Sequence, residues 1–131
     1  MSLEDALARF ETLAIVGIGG FAGANLRFFA VDAWSSLAGI LVANVLGSLV
    51  LGFLIYEARY AGIVDRKSRL LFTTGFLSSL TTYSGFAFYT ADAATAGPGP
   101  AVAFVGANYG LAIGAVLLGR WLAGAVRGDG A

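Results

Sequence analysis

Charged residues cut this chain into long uncharged stretches. Thr12 to Leu26, Ala33 to Tyr56, Leu70 to Ala91 and Ala93 to Gly119 contain no Asp, Glu, Lys or Arg. A helix needs about 20 apolar residues to cross a hydrocarbon layer of roughly 30 Å. The last three stretches have that length. The first reaches it by running past Arg27 to Val31, with the long Arg side chain reaching toward water. The pattern therefore predicts an all-α membrane protein, one domain over 1–131 with four transmembrane helices near 11–31, 36–57, 69–92 and 100–123. The link Ala94-Thr95-Ala96-Gly97-Pro98-Gly99-Pro100 holds both prolines and reads as a turn. The Gly-rich tail after Ala123 is expected to fray. Acids within Met1 to Glu11, and the polar Asn25 and Arg27 beyond, argue against a cleaved signal peptide.

Composition narrows the chemistry. Of 131 residues, 58% are hydrophobic and 12% charged, where soluble domains carry about a quarter charged. The chain has no Cys and no His. Disulfides, thiol nucleophiles, His/Cys zinc sites and imidazole-based triads are thereby excluded, and an enzyme is not expected. Lys+Arg equals Asp+Glu at 8 each, so no net basic charge suggests a nucleic-acid partner. The positions of the bases carry more information. Four spans put Arg9, Arg59, Arg66, Lys67, Arg69, Arg120 and Arg127 on one side, seven of the eight, and leave Arg27 alone on the other. By the positive-inside rule both termini should be cytoplasmic, in the cell (plasma) membrane.

Helices in lipid associate through close backbone approach and interhelical hydrogen bonds. Small residues recur at four-residue spacing: Gly19 and Gly23; Gly39, Ala43 and Gly47; Gly106, Gly110 and Gly114. These read as packing ridges. The third span differs in kind. Residues 73–86 hold seven Ser/Thr hydroxyls, the Tyr83 phenol and two glycines. Such a cluster suggests a helix that loosens or breaks beside protein or a wet cavity, the alternative being an intact helix with a polar face. Asn25, Asn44 and Asn108 supply one amide to each other span. No ionisable group of the kind that ion-coupled carriers use lies mid-span, which favours a passive pathway over a pump.

The run from Gly19 through Gly23 and Asn25 to Arg27 and Phe28 resembles the GGxxGAxxR motif of the CrcB/Fluc fluoride channels. Asn44-Val45-Leu46-Gly47-Ser48, followed by Gly52, resembles their NxxG[ST] motif, and Gly75 to Phe86 is similar to their GFxGGxTTFSTF. The resemblance implies a passive channel that exports fluoride, reduces fluoride toxicity and works as an antiparallel dimer. It implies a structural Na+ at the dimer interface, held by the backbone carbonyls of Ser78 and Thr81. It places Tyr83 and Phe86 on the fluoride path, Asn44 as a polar pore residue, Arg27 at the vestibule and Asn108 as a fourth-helix contribution. Thr82 and Ser84 add hydroxyl donors of the right kind.

Against the family pattern, Ser78-Ser79 stands for Gly-Gly, Tyr83 for Phe and Gly85 for Thr. The strong basic bias argues against one chain inserting both ways. A related sister subunit of opposite orientation is therefore the expected partner, with a self-dimer as the other possibility. A small multidrug-type antiporter would need a mid-span carboxylate, whereas Glu11 sits at the edge. A non-transporting assembly subunit would leave the polar third span without a purpose.

Overall fold

The structure, a computed structural model, describes residues 2–126. Ser2 opens the first helix with a capping box: its hydroxyl accepts from Asp5 N at 3.1 Å, and Asp5 Oδ2 accepts from Ser2 N at 3.0 Å. Two end-of-helix amides are satisfied this way. As a result α1 runs over Leu3–Ala33, starting well before the apolar stretch. Two extended residues, Trp34 and Ser35, turn the chain into α2, Ser36–Tyr60. Pro98, expected inside a link, instead starts the last helix, because proline at a first helical turn forfeits no intrahelical bond. That helix, α6, covers Pro98–Val126, so residues past Ala123 stay helical. Arg127 and the rest of the tail lie outside the described residues. α1, α2 and α6 are each long and apolar enough to cross a membrane, and the protein is a multi-pass membrane protein.

Residues 66–95 are built differently. They comprise α3 (Arg66–Leu70), a π-helical segment (Leu71–Leu77), α4 (Ser78–Leu80) and α5 (Tyr83–Thr95). Between α4 and α5 the backbone is extended at Thr81 and Thr82. The π register shows in the Ser78 N–H, which bonds the Thr73 carbonyl five residues back. The Ser78 hydroxyl donates to the carbonyls of Thr74 and Gly75 in the preceding turn. Thr73 and Thr81 hydroxyls bond back to Arg69 and Leu77 at 2.8 and 2.9 Å. Much of the polar content of this stretch therefore serves its own irregular backbone.

Two glycine seams hold the bundle. α1 lies against the π segment, where a Cβ on Gly23 would collide with the Phe76 carbonyl and one on Gly75 would sit 2.7 Å from the Val16 carbonyl. α2 and α6 make the broadest contact. There a Cβ on Gly52 would sit 2.8 Å from the Val116 carbonyl, and one on Gly119 would sit 2.6 Å from the Phe53 amide nitrogen. Gly39 and Gly47 also pack, against Val31 and Thr81. The ridge Gly106, Gly110 and Gly114 does not: nothing lies within 4 Å of a Cβ at any of them. The buried face of α6 is instead Phe104, Asn108, Ala115, Gly119 and Ala123. Gly106 and Gly110 each follow a buried residue by two positions, about 200° around the helix at 100° per residue, so they point away from α2.

The loop between α2 and α3 is tied down from beneath. Glu57, 1% exposed, accepts from Ile63 N at 2.5 Å and Val64 N at 3.1 Å, and pairs with Arg69 at 3.4 Å. Asp65 then caps α3, and the Ser68 hydroxyl and amide hold its carboxyl below the ordinary range. Replacing Gly23 by Val should cost more than about 3 kcal/mol, since backbone rather than a movable side chain stands in the way. Gly110→Ala should leave the thermal melt in detergent unchanged; equal behaviour of the two variants would refute this packing.

Candidate functional site

Thr81 and Thr82 leave the helical ladder inside an apolar bundle, so their polar groups need other partners. Asn44, from the middle of α2, supplies them. Its Oδ1 accepts from Thr82 N at 2.8 Å, and its Nδ2 donates to the Thr82 carbonyl at 3.3 Å. One carboxamide thus stands in for a neighbouring peptide unit. Arg27 of α1 approaches from the other side, with Nη1 3.4 Å from the Thr81 carbonyl. The Thr82 hydroxyl caps α5 by accepting from Gly85 N at 3.0 Å, and it lies 3.2 Å from the Ser84 hydroxyl.

A cleft of about 270 Å³ opens beside this interruption, between α2, α5 and α6. Asn44, Thr81, Thr82, Tyr83, Phe86 and Asn108 all border it. Ser84, Arg27 and Ser78 do not. Ser84 touches the cleft only through Thr82, Arg27 lies on the α1 side of the strand, and Ser78 sits a turn earlier in α4. Asn25 bonds the Phe21 carbonyl of its own helix at 2.7 Å and takes no part. Sequence reading missed Ser48 and Tyr109 on the wall, and Phe104 behind it. Ser48 and Phe104 lie four residues from Asn44 and Asn108, so helical spacing from the two amides would have found both.

Aromatic rings close the other half of the cleft. Phe86 stacks on Phe104 with centroids 5.8 Å apart, and meets Tyr109 edge to face at 5.6 Å and 83°. Tyr83 is tilted against Phe86 at 5.9 Å and is itself 76% exposed. The lining holds residues with amides, hydroxyls and aromatic rings, together with the apolar Leu51 and Ala112, and no charged side chain. Ring edges carry partial positive charge, and amide and hydroxyl hydrogens do likewise. The arrangement suits a small anion better than a cation.

Cation donors lie just outside. Thr82 N–H is diverted to Asn44, which frees the Ser78 carbonyl from its usual partner four residues on. Ser78 and Thr81 carbonyls are hard, neutral oxygens suited to an alkali cation. Arg27 already donates to the latter, whose second lone pair stays open. No group of His, Cys, Asp and Glu among the described residues is placed to bind a metal.

Comparison with known proteins agrees on one family. Residues 14–120 match the model of the CrcB-like protein, Camphor Resistance (CrcB). A fluoride-specific ion channel FluC 1 from Haloarcula marismortui is 45% identical over 114 residues, 87% of each chain. FluC 2 from Halobacterium salinarum is 42% identical over 120 residues, 91% of each. FluC 2 from Methanosarcina mazei is 38% identical over 110 residues, 84% of this chain and 85% of that protein.

Asn44→Leu would leave the Thr82 amide and carbonyl unpaired in an apolar setting. The variant should lose about 2 to 6 kcal/mol, at about 1–3 kcal/mol for each of the two orphaned groups, and unfold at lower temperature in lipid nanodiscs. An unshifted melt would show that the extended strand does not depend on α2.

Proposed function

This chain belongs to the CrcB-like family, and we propose that it is a subunit of a passive, fluoride-selective channel that lets fluoride leave the cytoplasm. The single observation that carries this reading is the uncharged cleft, lined by amide, hydroxyl and aromatic residues, beside the Thr81–Thr82 interruption. Fluoride is compact and strongly hydrated, so a pathway must replace its water with close donors. A buried Lys or Arg would hold it too tightly to release, whereas neutral dipoles bind and let go. The path runs past Asn44, Thr82, Tyr83, Ser84, Phe86 and Asn108, with Arg27 near the vestibule.

In this reading α3, the π segment, α4 and α5 together make a fourth crossing, broken at Thr81–Thr82. Both termini face the cytoplasm, as the basic residues favour. A second four-span subunit in the opposite orientation completes the assembly, and the bias of the bases favours a paralogue over a second copy. Tyr83 supports a partner here, since so exposed a phenol beside the cleft leaves one wall open. Ser78 and Thr81 carbonyls, as neutral oxygens, would hold a structural Na+ where two subunits meet. An antiporter is not favoured. Glu57 is bound by two backbone amides and Arg69, and Glu11 is paired with Lys67 at 2.5 Å on the surface, and neither carboxylate borders the cleft.

Proteoliposomes loaded with fluoride or chloride test the proposal, with the chain reconstituted alone and with an oppositely oriented paralogue. Fluoride should leave quickly and chloride should not, with no effect of collapsing the proton gradient. Phe86→Ile should slow fluoride by at least about tenfold, a barrier increase of about 1.4 kcal/mol. Equal rates for both halides, or a requirement for protons, would overturn the channel reading.

A further inference from the structure

We infer that the groove where α2 and α6 reach the basic side of the membrane binds an anionic phospholipid, with the headgroup phosphate on Arg120. The groove holds about 690 Å³ between Tyr60 of α2 and Leu117, Arg120, Trp121, Gly124 and Ala125 of α6. That is within the roughly 300–1,000 Å³ of ordinary ligand sites. It shares no residue with the cleft beside Thr81–Thr82, so the inference is independent of the fluoride reading.

Helical spacing builds the groove. Tyr56 and Tyr60 stand one turn apart on α2, their ring centroids 5.7 Å from each other. Leu117, Arg120, Trp121 and Gly124 recur at three and four residues, on one face of α6. Gly119, on the neighbouring face, packs on the backbone of Leu49 and Phe53 and keeps the two helices together. Gly124 supplies the open space, since nothing lies within 4 Å of a Cβ there.

Arg120 gives the groove its sign. It is the first charge after the uncharged stretch Ala93 to Gly119, which puts it at the edge of the hydrocarbon layer. The ion pairs among the described residues, Glu11–Lys67 and Glu57–Arg69, do not include it. Instead it lies over the Tyr56 ring, 5.1 Å from the centroid. A ring face attracts a cation without neutralising it, so the fork of N–H donors still favours a phosphate.

The apolar walls make that phosphate part of a lipid rather than a free ion. Leu117 lies about 4.5 Å deeper than Arg120, at 1.5 Å rise per residue. Trp121 is 67% exposed, at the depth where Trp and Tyr settle in membrane interfaces. An acyl chain runs down past Leu117 while its phosphate stays with Arg120 and the Tyr60 phenol. Basic pockets between membrane helices on the cytoplasmic side hold headgroups in this way. The single cation of the lining also selects among headgroups: a choline lipid brings its own cation, whereas phosphatidylglycerol brings net negative charge.

Trp34 and Trp121 are the two tryptophans of the chain, so Trp34→Phe leaves a reporter in the groove alone. The full chain with that change is reconstituted in phosphatidylcholine vesicles containing brominated phosphatidylglycerol. Trp121 should be quenched as if the brominated lipid were about fivefold enriched beside it, the weight of one basic residue near a membrane surface. Arg120→Gln should return quenching to the bulk mole fraction. Gly124→Leu, which fills the groove from an open position, should do the same with an unchanged thermal melt. Arg59→Gln, outside the groove, should keep the enrichment. Equal quenching when phosphatidylcholine carries the bromine, or enrichment that survives either substitution in the groove, would overturn the inference. So would its loss on adding inorganic phosphate at constant ionic strength, which would make this a soluble-anion site. Loss of it in Arg59→Gln would also refute the proposal, because diffuse basic charge would then be the cause.

Discussion

The Asn44 carboxamide, seated on the amide and carbonyl of Thr82, is the interaction on which the rest depends. A bilayer interior offers no water to an extended backbone, so an interruption survives only where side chains replace the missing ladder. Thr81 and Thr82 have Asn44 on one side and Arg27 on the other. Once they are held, α5 can start afresh with Thr82 as its cap, beside the gap between α2, α5 and α6. The cleft thus lies beside a satisfied break, and Asn44, which satisfies the break, also borders the cleft.

Close packing lets this arrangement exist without a large apolar core. Where α1 meets the π segment, backbone touches backbone across Gly19, Gly23 and Gly75. Removing side chains brings dispersion contacts and polar backbone groups near enough to compensate for the absence of a hydrophobic drive in lipid. α2 and α6 use Gly52 and Gly119 to the same end. The exposed glycines of α6 have no such contact within the chain. Charge is kept to the ends: Glu57 and Arg69 knit one loop, and Arg120 lies over the Tyr56 ring at 5.1 Å, a contact that tolerates partial desolvation.

Much of the fold was legible in one dimension. Uncharged stretches gave three continuous apolar helices, and the ordered motifs pointed to the family that the comparisons then showed. Helix ends were harder, because a capping box at Ser2 and a proline at the first turn of α6 extend helices beyond the apolar residues. Four-residue spacing identified Gly106, Gly110 and Gly114 as a ridge but could not say what it faces, since periodicity carries no information about which neighbour stands opposite.

Sequence by itself determined that this is a membrane protein of several spans, that its polar residues crowd into the third stretch, and that its amides are distributed one to each other long helix. Those are properties of composition and of spacing along a chain. Tertiary structure decided that Asn44 and Asn108 touch, that Asn25 does not join them, and that Ser48, Phe104 and Tyr109 complete the wall. It also decided that the Asn44 amide is bonded at both its oxygen and its nitrogen, and that Asn108 Nδ2 is buried without a partner among the described residues. The physical reason is that a hydrogen bond has a direction, and here that direction is set by the peptide N–H of Thr82, in the extended stretch between two helices and far in sequence from either asparagine.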